Sequence, residues 1–282
     1  MNPCQNSTNE LILEPRPNKD GRIIYFLEQE AVENTIASGL LPKVMMKGSQ
    51  KDTKAVRVAV LLTRDVSDIS EKDAYSAQET LVDSLRLSGA EPFFMVYEKI
   101  EEQLNEIKPA GILLPGGDFA LPQEWCLQDA AHPKNEIRYQ AYVSCLEYAK
   151  QHKLPLLGIC AGMQVLGGYH GAKIIRVENH RGIVKEFAHD MNIKKDSLLY
   201  KITGLEKVSV NSNHSEAVSS EHLGDCVVSA VAQDGTVEAL ELKNPWVPFV
   251  LGIQSHPEYF VKSGDKFAVE LFKSFVKVCK NV

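Results

Sequence analysis

The chain has 282 residues, of which 44% are apolar and 24% charged, a composition typical of a globular protein with a full-sized core. Its formal net charge of -6 provides no excess of positive charge to attract phosphate backbones or anionic lipid, so nucleic acid and membranes are not expected partners. The sequence lacks both an apolar run of about 20 residues that could span a bilayer and the apolar core of a secretory signal, so we expect a cytoplasmic protein.

The first part of the chain is predicted to be an N-terminal extension, residues 1–53. It is rich in Asn, Glu, Lys and Pro, it ends in a polar stretch, and it indicates only one helix, near residues 28–38. From residue 55 the pattern changes to short β-branched runs that alternate with amphipathic stretches. We therefore assign residues 54–282 to one main domain.

The main domain alternates strands with helices in its first half and is richer in strands in its second. In chain order the sequence predicts a strand at 55–63, a helix at 71–88, strands at 92–96 and 110–114, a helix at 136–150, strands at 154–159, 208–211, 226–232, 237–242 and 249–254, and a helix at 265–280. The buried face of the helix at 136–150 is predicted to consist of Ile137, Ala141, Cys145 and Tyr148. The fold prediction is α/β, with a mixed, mostly parallel central sheet and helices on both faces. Ligands of such sheets bind beyond the carboxyl ends of the strands.

A candidate nucleophile stands at one of these carboxyl ends. Residues 158–162 have the pattern G-x-C-x-G, directly after the apolar strand at 154–159 and before a helix-like segment. In a strand-turn-helix elbow the small neighbours let a nucleophile occupy a strained backbone and project from the sheet, and the helix N-terminus favours a thiolate. The alternative is that Cys160 is an ordinary buried residue in a glycine turn. The other five cysteines show no paired spacing typical of a zinc site.

A candidate base follows the strand at 249–254. A cysteine nucleophile needs a base that also protonates the leaving amine, and that base needs a third group to orient it. His256 and Glu258 supply both, and Pro257 between them restricts their relative orientation. A lone loop histidine is more often structural, but its position after a strand, together with the elbow at Cys160, favours catalysis.

No cofactor and no metal site is predicted. No two glycines are separated by a single residue, which excludes the dinucleotide fingerprint G-x-G-x-x-G. His180, Arg181 and His189 could suggest a metal or phosphate site, but no carboxylate or cysteine joins them at a recognisable spacing. We interpret them as solvated loop residues.

With these motifs the chain resembles the class I glutamine amidotransferase-like superfamily, which has a flavodoxin-like fold. Further segments resemble its γ-glutamyl hydrolase branch, which includes the γ-glutamyl-γ-aminobutyrate hydrolases. The superfamily motifs are G-I-C-A-G-M-Q at 158–164 and Q-S-H-P-E at 254–258, and the segments that resemble the hydrolase branch are L-L-P-G-G-D at 113–118, V-N-S-N-H at 210–214 and D-G-T-V-E-A at 234–239. The resemblance covers about residues 55–280.

The resemblance implies a role for each site residue. Cys160, His256 and Glu258 would form a catalytic triad. Backbone N–H groups of Ala161 and of the Gly116-Gly117 turn would bind the oxyanion. Gln164 would contact the glutamyl group unless it is merely a solvent-facing helix residue, and His214 is a substrate-contact candidate or a structural histidine. The departures are Ala161 in place of an arginine and Ser215 in place of a second histidine, so the leaving amine stays open.

Three functions follow from these observations. The first is a stand-alone hydrolase that cleaves the γ-glutamyl amide bond of a small molecule, glutamine or a γ-glutamyl amine, through a thioester. The second is a glutaminase subunit that gives ammonia to a separate synthetase. The third is a catalytically silent binding or regulatory protein. The intact triad and the hydrolase-like segments favour the first, while a homo-oligomer or an unidentified synthetase partner is left open.

Overall fold

The computed structural model describes residues 9–19, 21–47, 55–66, 73–117, 121–127 and 136–282. The strands are β1 (Glu10–Pro17), β2 (Ile23–Glu28), β3 (Lys43–Met46), β4 (Val56–Leu61), β5 (Thr63–Val66), β6 (Asp73–Gln78), β7 (Ala90–Met95), β8 (Gly111–Leu114), β9 (Leu156–Ile159), β10 (Ile174–Arg176), β11 (His189–Ile193), β12 (Lys207–Val210), β13 (Glu216–Val218), β14 (Cys226–Ala232), β15 (Val237–Leu242) and β16 (Val250–Ile253). The helices are α1 (Gln29–Ala37), α2 (Glu79–Leu87), α3 (Ile100–Ile107), α4 (Glu136–Gln151), α5 (Ala161–Tyr169), α6 (Leu198–Thr203) and α7 (Lys266–Cys279).

Five mutually parallel strands form the centre of the large sheet, in the order β7-β4-β8-β9-β16. Numbered along the chain, this is the 2-1-3-4-5 order of flavodoxin-like folds. Antiparallel strands extend the sheet on both sides, through β15 at one edge of the centre and β3 at the other. The predicted α/β fold with a mixed sheet is therefore confirmed, with the parallel pairing concentrated at its centre.

Helices cover both faces of this centre. α4 contacts α3 and α5, and α7 contacts α2 and α6. Gly111 in β8 lies against Cys279 and Phe275 of α7. Leu114, three positions on and so on the opposite face of the strand, lies against Gly162 of α5. In the part of the chain that the structure describes, no helix is long and apolar enough to cross a membrane.

Two local predictions were wrong because tertiary contacts override local pattern. The predicted helix at 71–88 begins only at Glu79, because the residues before it form β6 and pair with β2. In α4, Ile137 is 49% exposed, and the fully buried position is taken by Arg138. A charged side chain there could not be recognised as buried from apolar spacing.

The N-terminal segment contains more structure than the sequence indicated. The predicted helix forms as α1, but β1, β2 and β3 also form. β3 pairs with β7 of the main sheet, and β2 pairs with β6. The segment is thus joined to the main sheet by strand pairing. The domain boundary at residue 53, as a statement about independent folding, stays a prediction.

The packing of Gly111 against α7 generates a stability prediction. A Cβ at this position would overlap Cys279 Sγ and would lie 3.3 Å from Phe275 Cζ, while the backbone of Gly111 does not have a positive φ. Gly111→Ala should therefore lower the free energy of unfolding by about 1–3 kcal/mol through overpacking.

Cys279→Ala removes the overlapping sulfur, so adding it to Gly111→Ala should recover most of the loss. Urea unfolding of the wild type, both single variants and the double variant measures this. Simple addition of the two single losses in the double variant would contradict the packing account.

Candidate active site

Cys160 occupies a sharp turn between β9 and α5. Its backbone has φ 50° and ψ -106°, a strained conformation for a residue with a side chain. A Cβ on Gly158 would come within 2.7 Å of the Gly162 backbone, and a Cβ on Gly162 would overlap the Leu114 carbonyl oxygen. Both glycines of the motif are therefore required by close backbone approach. The turn holds Cys160 at the N-terminus of α5, where the helix dipole favours a thiolate.

His256 is held beside this turn by two anchors. β16 runs parallel to β9 with Ile253 opposite Ile159, and the Cys160 N–H donates to the Ile253 carbonyl at 2.7 Å. Asn211 then fixes the backbone of His256 from the other side. Its Oδ1 accepts from the His256 N–H at 2.8 Å, and its Nδ2 donates to the His256 carbonyl at 3.0 Å.

Glu258 orients the imidazole. His256 Nδ1 and Glu258 Oε1 are 2.8 Å apart, and both side chains are buried. With Nδ1 donating to the carboxylate, Nε2 is the nitrogen left to exchange a proton with Cys160. Burial by itself would lower the pKa of His256, but interactions with Glu258 and Cys160 outweigh it and hold that pKa well above 6.5. The imidazolium is thus stabilised between two acidic groups.

The turn after β8 closes the site. A Cβ on Gly116 would lie 2.6 Å from His256 Cε1 and 3.2 Å from Cys160 Cβ, so this glycine packs closely against both side chains. Gly117 follows it, and Ala161 begins α5 directly after Cys160. The first N–H groups of a helix have no intrahelical acceptor, so the Ala161 N–H is available to a ligand.

Buried groups of α4 support this turn from behind. Tyr142 donates its hydroxyl to the Pro115 carbonyl at 3.0 Å. The fully buried Arg138 guanidinium lies so close to Gly117 that any Cβ there would overlap it. A fixed positive charge beside a proposed anion site favours negative charge there.

The two predicted substrate contacts are placed differently. Gln164 is buried. Its Nε2 donates to the Glu216 carbonyl at 2.7 Å and to Gln254 Oε1 at 3.2 Å. A contact between Gln164 and a glutamyl group would therefore use Oε1. His214 has only 1% of its side chain exposed, and it lies against the Glu216 carbonyl and the Glu238 carboxylate rather than against Cys160, His256 or Glu258. Both substrate roles stay predictions.

Sequence reasoning missed several supporting residues. Asn211 lies inside the quoted V-N-S-N-H segment, but its hydrogen bonds to His256 depend on a neighbour 45 residues away. Ser84 of α2 donates to the Glu258 carbonyl at 3.1 Å. The interpretation of His180 and His189 as solvated was wrong, because His180 is 3% exposed and the His189 side chain 18%.

Comparisons with known proteins identify the family of the chain. The family profile described as Peptidase C26 matches residues 57–258. A Rickettsia prowazekii protein described as glutamine amidotransferase-like is 28% identical over 265 residues, which cover 74% of this chain and 90% of the relative. CTP synthase of Thermus thermophilus is 30% identical over 197 residues, which cover 57% of this chain and 32% of the synthase.

A solved structure has the same fold. The glutaminase domain of Trypanosoma brucei CTPS, with bound acivicin, matches with a TM-score of 0.58 at 19% identity, covering 80% of this chain and 94% of that domain. The sequence-based resemblance to the class I glutamine amidotransferase-like superfamily is confirmed by the family match, and the fold class by this structure.

The thiols of the chain should differ sharply in reactivity. Burial raises the pKa of Cys126 to about 11 and those of Cys226 and Cys279 to about 12. Iodoacetamide near pH 7 should therefore alkylate Cys160 faster than Cys126, which is the most exposed of the other described cysteines. Peptide mass mapping against time measures both rates.

Cys126 provides an internal reference, because below its pKa its rate should rise roughly tenfold per pH unit. His256→Asn removes the imidazolium partner and should slow alkylation of Cys160 towards the Cys126 rate. Equal rates at both cysteines in the wild type would contradict the assignment of the nucleophile.

Proposed function

Because this chain belongs to the Peptidase C26 family and is glutamine amidotransferase-like, we propose that it is a cysteine-dependent hydrolase of γ-glutamyl amide bonds. The substrate is glutamine or a γ-glutamyl amine. The observation that carries the proposal is the position of His256. His256 and Cys160 both pack against Gly116, and His256 Nδ1 lies 2.8 Å from Glu258 Oε1.

In the first half of the reaction the thiolate of Cys160 attacks the γ-carbonyl carbon. The carbonyl oxygen becomes an oxyanion, which accepts hydrogen bonds from the N–H groups of Ala161 and of the Gly116-Gly117 turn. Removal of one such donor costs about 3 kcal/mol of barrier in comparable sites. His256 then gives its Nε2 proton to the departing nitrogen, the C–N bond breaks, and a γ-glutamyl thioester is left on Cys160.

In the second half water replaces the amine. Neutral His256 accepts a proton from the water as its oxygen attacks the thioester carbon. The C–S bond breaks, the thiolate of Cys160 is restored, and the product leaves as a γ-carboxylic acid that gives its remaining proton to solvent. Glu258 keeps Nδ1 protonated in both halves and stabilises the imidazolium, without exchanging protons with the substrate.

The alternative function is a glutaminase subunit that delivers ammonia to a synthetase. The matches to CTP synthase favour it, since the chain spans 32% of the Thermus enzyme and would correspond to one part of such an assembly. The same triad chemistry serves both functions. They differ in whether the isolated chain turns over and in which amine leaves.

The state of the cysteines suits a reducing compartment. The five described cysteines are free, and four of them are buried. Disulfides form and persist mainly in oxidising compartments. We propose that the hydrolase works in the cytoplasm, and these free thiols support that compartment.

A panel of γ-glutamyl amides that includes glutamine tests the proposal. The isolated wild-type chain should hydrolyse at least one amide of the panel, glutamine or a γ-glutamyl amine, without a synthetase. Cys160→Ala should lower the rate by about 10⁶-fold, as loss of a triad nucleophile does. Cys145→Ala, which changes a fully buried thiol of α4 away from the triad, should retain turnover.

Equal loss of activity in both variants, with their folding intact by circular dichroism, would contradict the site. Glutamine hydrolysis that appears only when a synthetase is added would support the subunit function instead. A folded wild type that turns over none of the amides, with and without such a partner, would favour the silent protein.

A further inference from the structure

Three histidines and a glutamate converge outside the triad. His180 lies in the loop between β10 and β11, His189 begins β11, and His214 lies between β12 and β13. Glu238 belongs to β15 and is fully buried. We call these four side chains the histidine cluster. Its members come from four separate segments, so the fold, rather than local sequence, assembles it.

One carboxylate oxygen is the centre of this cluster. Glu238 Oε1 is 3.0 Å from His189 Nε2, 3.5 Å from His180 Nδ1 and 3.7 Å from His214 Nε2. The ligand atoms of His180, His189 and Glu238 all lie within 4.8 Å of one another. A single ion between these three atoms would reach all of them with small side-chain adjustments, and His214 Nε2, 3.7 Å from Glu238 Oε1, would be a fourth donor only after a larger shift of its ring.

In His214 and His180, the ring nitrogen that points away from Glu238 has a hydrogen-bond partner that fixes the tautomer. His214 Nδ1 lies 3.0 Å from the Glu216 carbonyl oxygen, which can only accept, so this nitrogen carries the proton. His180 Nε2 lies 2.9 Å from the Asp234 carboxylate and donates to it in the same way. In a neutral imidazole the other nitrogen then has a lone pair and no proton.

Those lone pairs face the carboxylate. Ser212 Oγ lies 3.2 Å from His180 Nδ1, but its one proton is directed to the His180 carbonyl at 2.8 Å. His214 Nε2 is buried with no hydrogen-bond partner among the described residues, and so is Glu238 Oε2. The unprotonated nitrogens of His180 and His214 therefore face the Glu238 carboxylate, so that hydrogen-bond acceptors face one another around a buried negative charge. This arrangement is costly unless a cation lies between them.

We propose that the histidine cluster binds a divalent transition metal, with zinc as the best match. His180, His189 and Glu238 supply three donors of the kinds that zinc accepts, and His214 could supply a fourth to complete a tetrahedron. Bonds of about 2.0–2.1 Å in a tetrahedron place ligand atoms roughly 3.3 Å apart. The separations of 3.0, 3.5 and 3.7 Å around Glu238 Oε1 bracket that value.

The surroundings complete the pattern of a metal site. Metal-binding histidines almost always donate their outer N–H to a carboxylate or a carbonyl, which orients the ring. Asp234 does this for His180, and the Glu216 carbonyl does it for His214. Asp234 is itself oriented by the Thr236 N–H at 3.0 Å. Binding would release the proton that His189 Nε2 shares with Glu238, so uptake is linked to proton release.

The site is connected to the triad by backbone, and its role is structural. Ser212, which bonds His180, directly follows Asn211, which anchors His256. The Gln254 N–H donates to the Glu238 carbonyl at 2.8 Å, two residues before His256. A metal in the cluster would brace both supports of the catalytic base without contacting substrate. This inference does not depend on the proposed hydrolase activity.

Zinc binding to chelator-treated protein is the direct test. Isothermal titration with zinc chloride should give one tight site per chain in the wild type. His189→Gln and Glu238→Gln should each weaken zinc binding at least 100-fold. His222→Gln, which changes an exposed histidine outside the cluster, should bind as the wild type does.

A spectroscopic measurement keeps the test independent of variant folding. Cobalt added to the chelator-treated wild type should produce the intense visible absorption of tetrahedral coordination, and zinc should abolish it. Zinc should also raise the thermal midpoint of the wild type and of His222→Gln, but not that of His189→Gln.

Two results would overturn the site. One is zinc binding of equal strength in the wild type and in both cluster variants. The other is a wild type that binds neither zinc nor cobalt and keeps the same thermal midpoint with and without them. The latter result would identify the cluster as a network of protonated histidines around Glu238.

Discussion

The parallel pairing of β9 with β16 is the constraint on which the site depends. The hydrogen bond from the Cys160 N–H to the Ile253 carbonyl, 2.7 Å long, closes that pairing at the carboxyl end. Both strands end at the same edge of the sheet, so the segments that follow them emerge side by side. A one-residue slip would reverse the faces on which their side chains lie and would move the Gln254 to Glu258 segment away from the elbow.

Close approach of backbone segments at two glycines brings the side chains of the site together. Gly162 permits contact between α5 and β8, and Gly116 brings the turn after β8 against His256 and Cys160. Close-packed protein interiors transmit small displacements, so a change at either glycine would shift the side chains of Cys160 and His256. Asn211, directly after β12, adds a second restraint on His256, and its neighbour Ser212 donates to the carbonyl of His180 in the histidine cluster.

Features formed by residues close together in the chain could be predicted from the sequence. Features formed by distant segments that meet only in the fold were missed. The turn at Cys160 and the placement of His256 beside it could be predicted because each motif follows an apolar strand. The start of α2 at Glu79 was missed because β6 pairs with β2, a long-range contact without a local signature. The cluster around Glu238 was missed for the same reason, since its carboxylate is 49 residues from His189. Spacing rules for metal ligands detect only sites that one segment largely supplies.

The claim that Cys160, His256 and Glu258 act as one catalytic unit is tested most directly by a double-mutant comparison. Turnover is measured for Glu258→Gln, His256→Asn and the variant with both changes. Residues that work as a unit are not additive, so the double variant should be little slower than His256→Asn alone. Rate losses that multiply across the two positions would show that His256 and Glu258 act independently, and would contradict the triad.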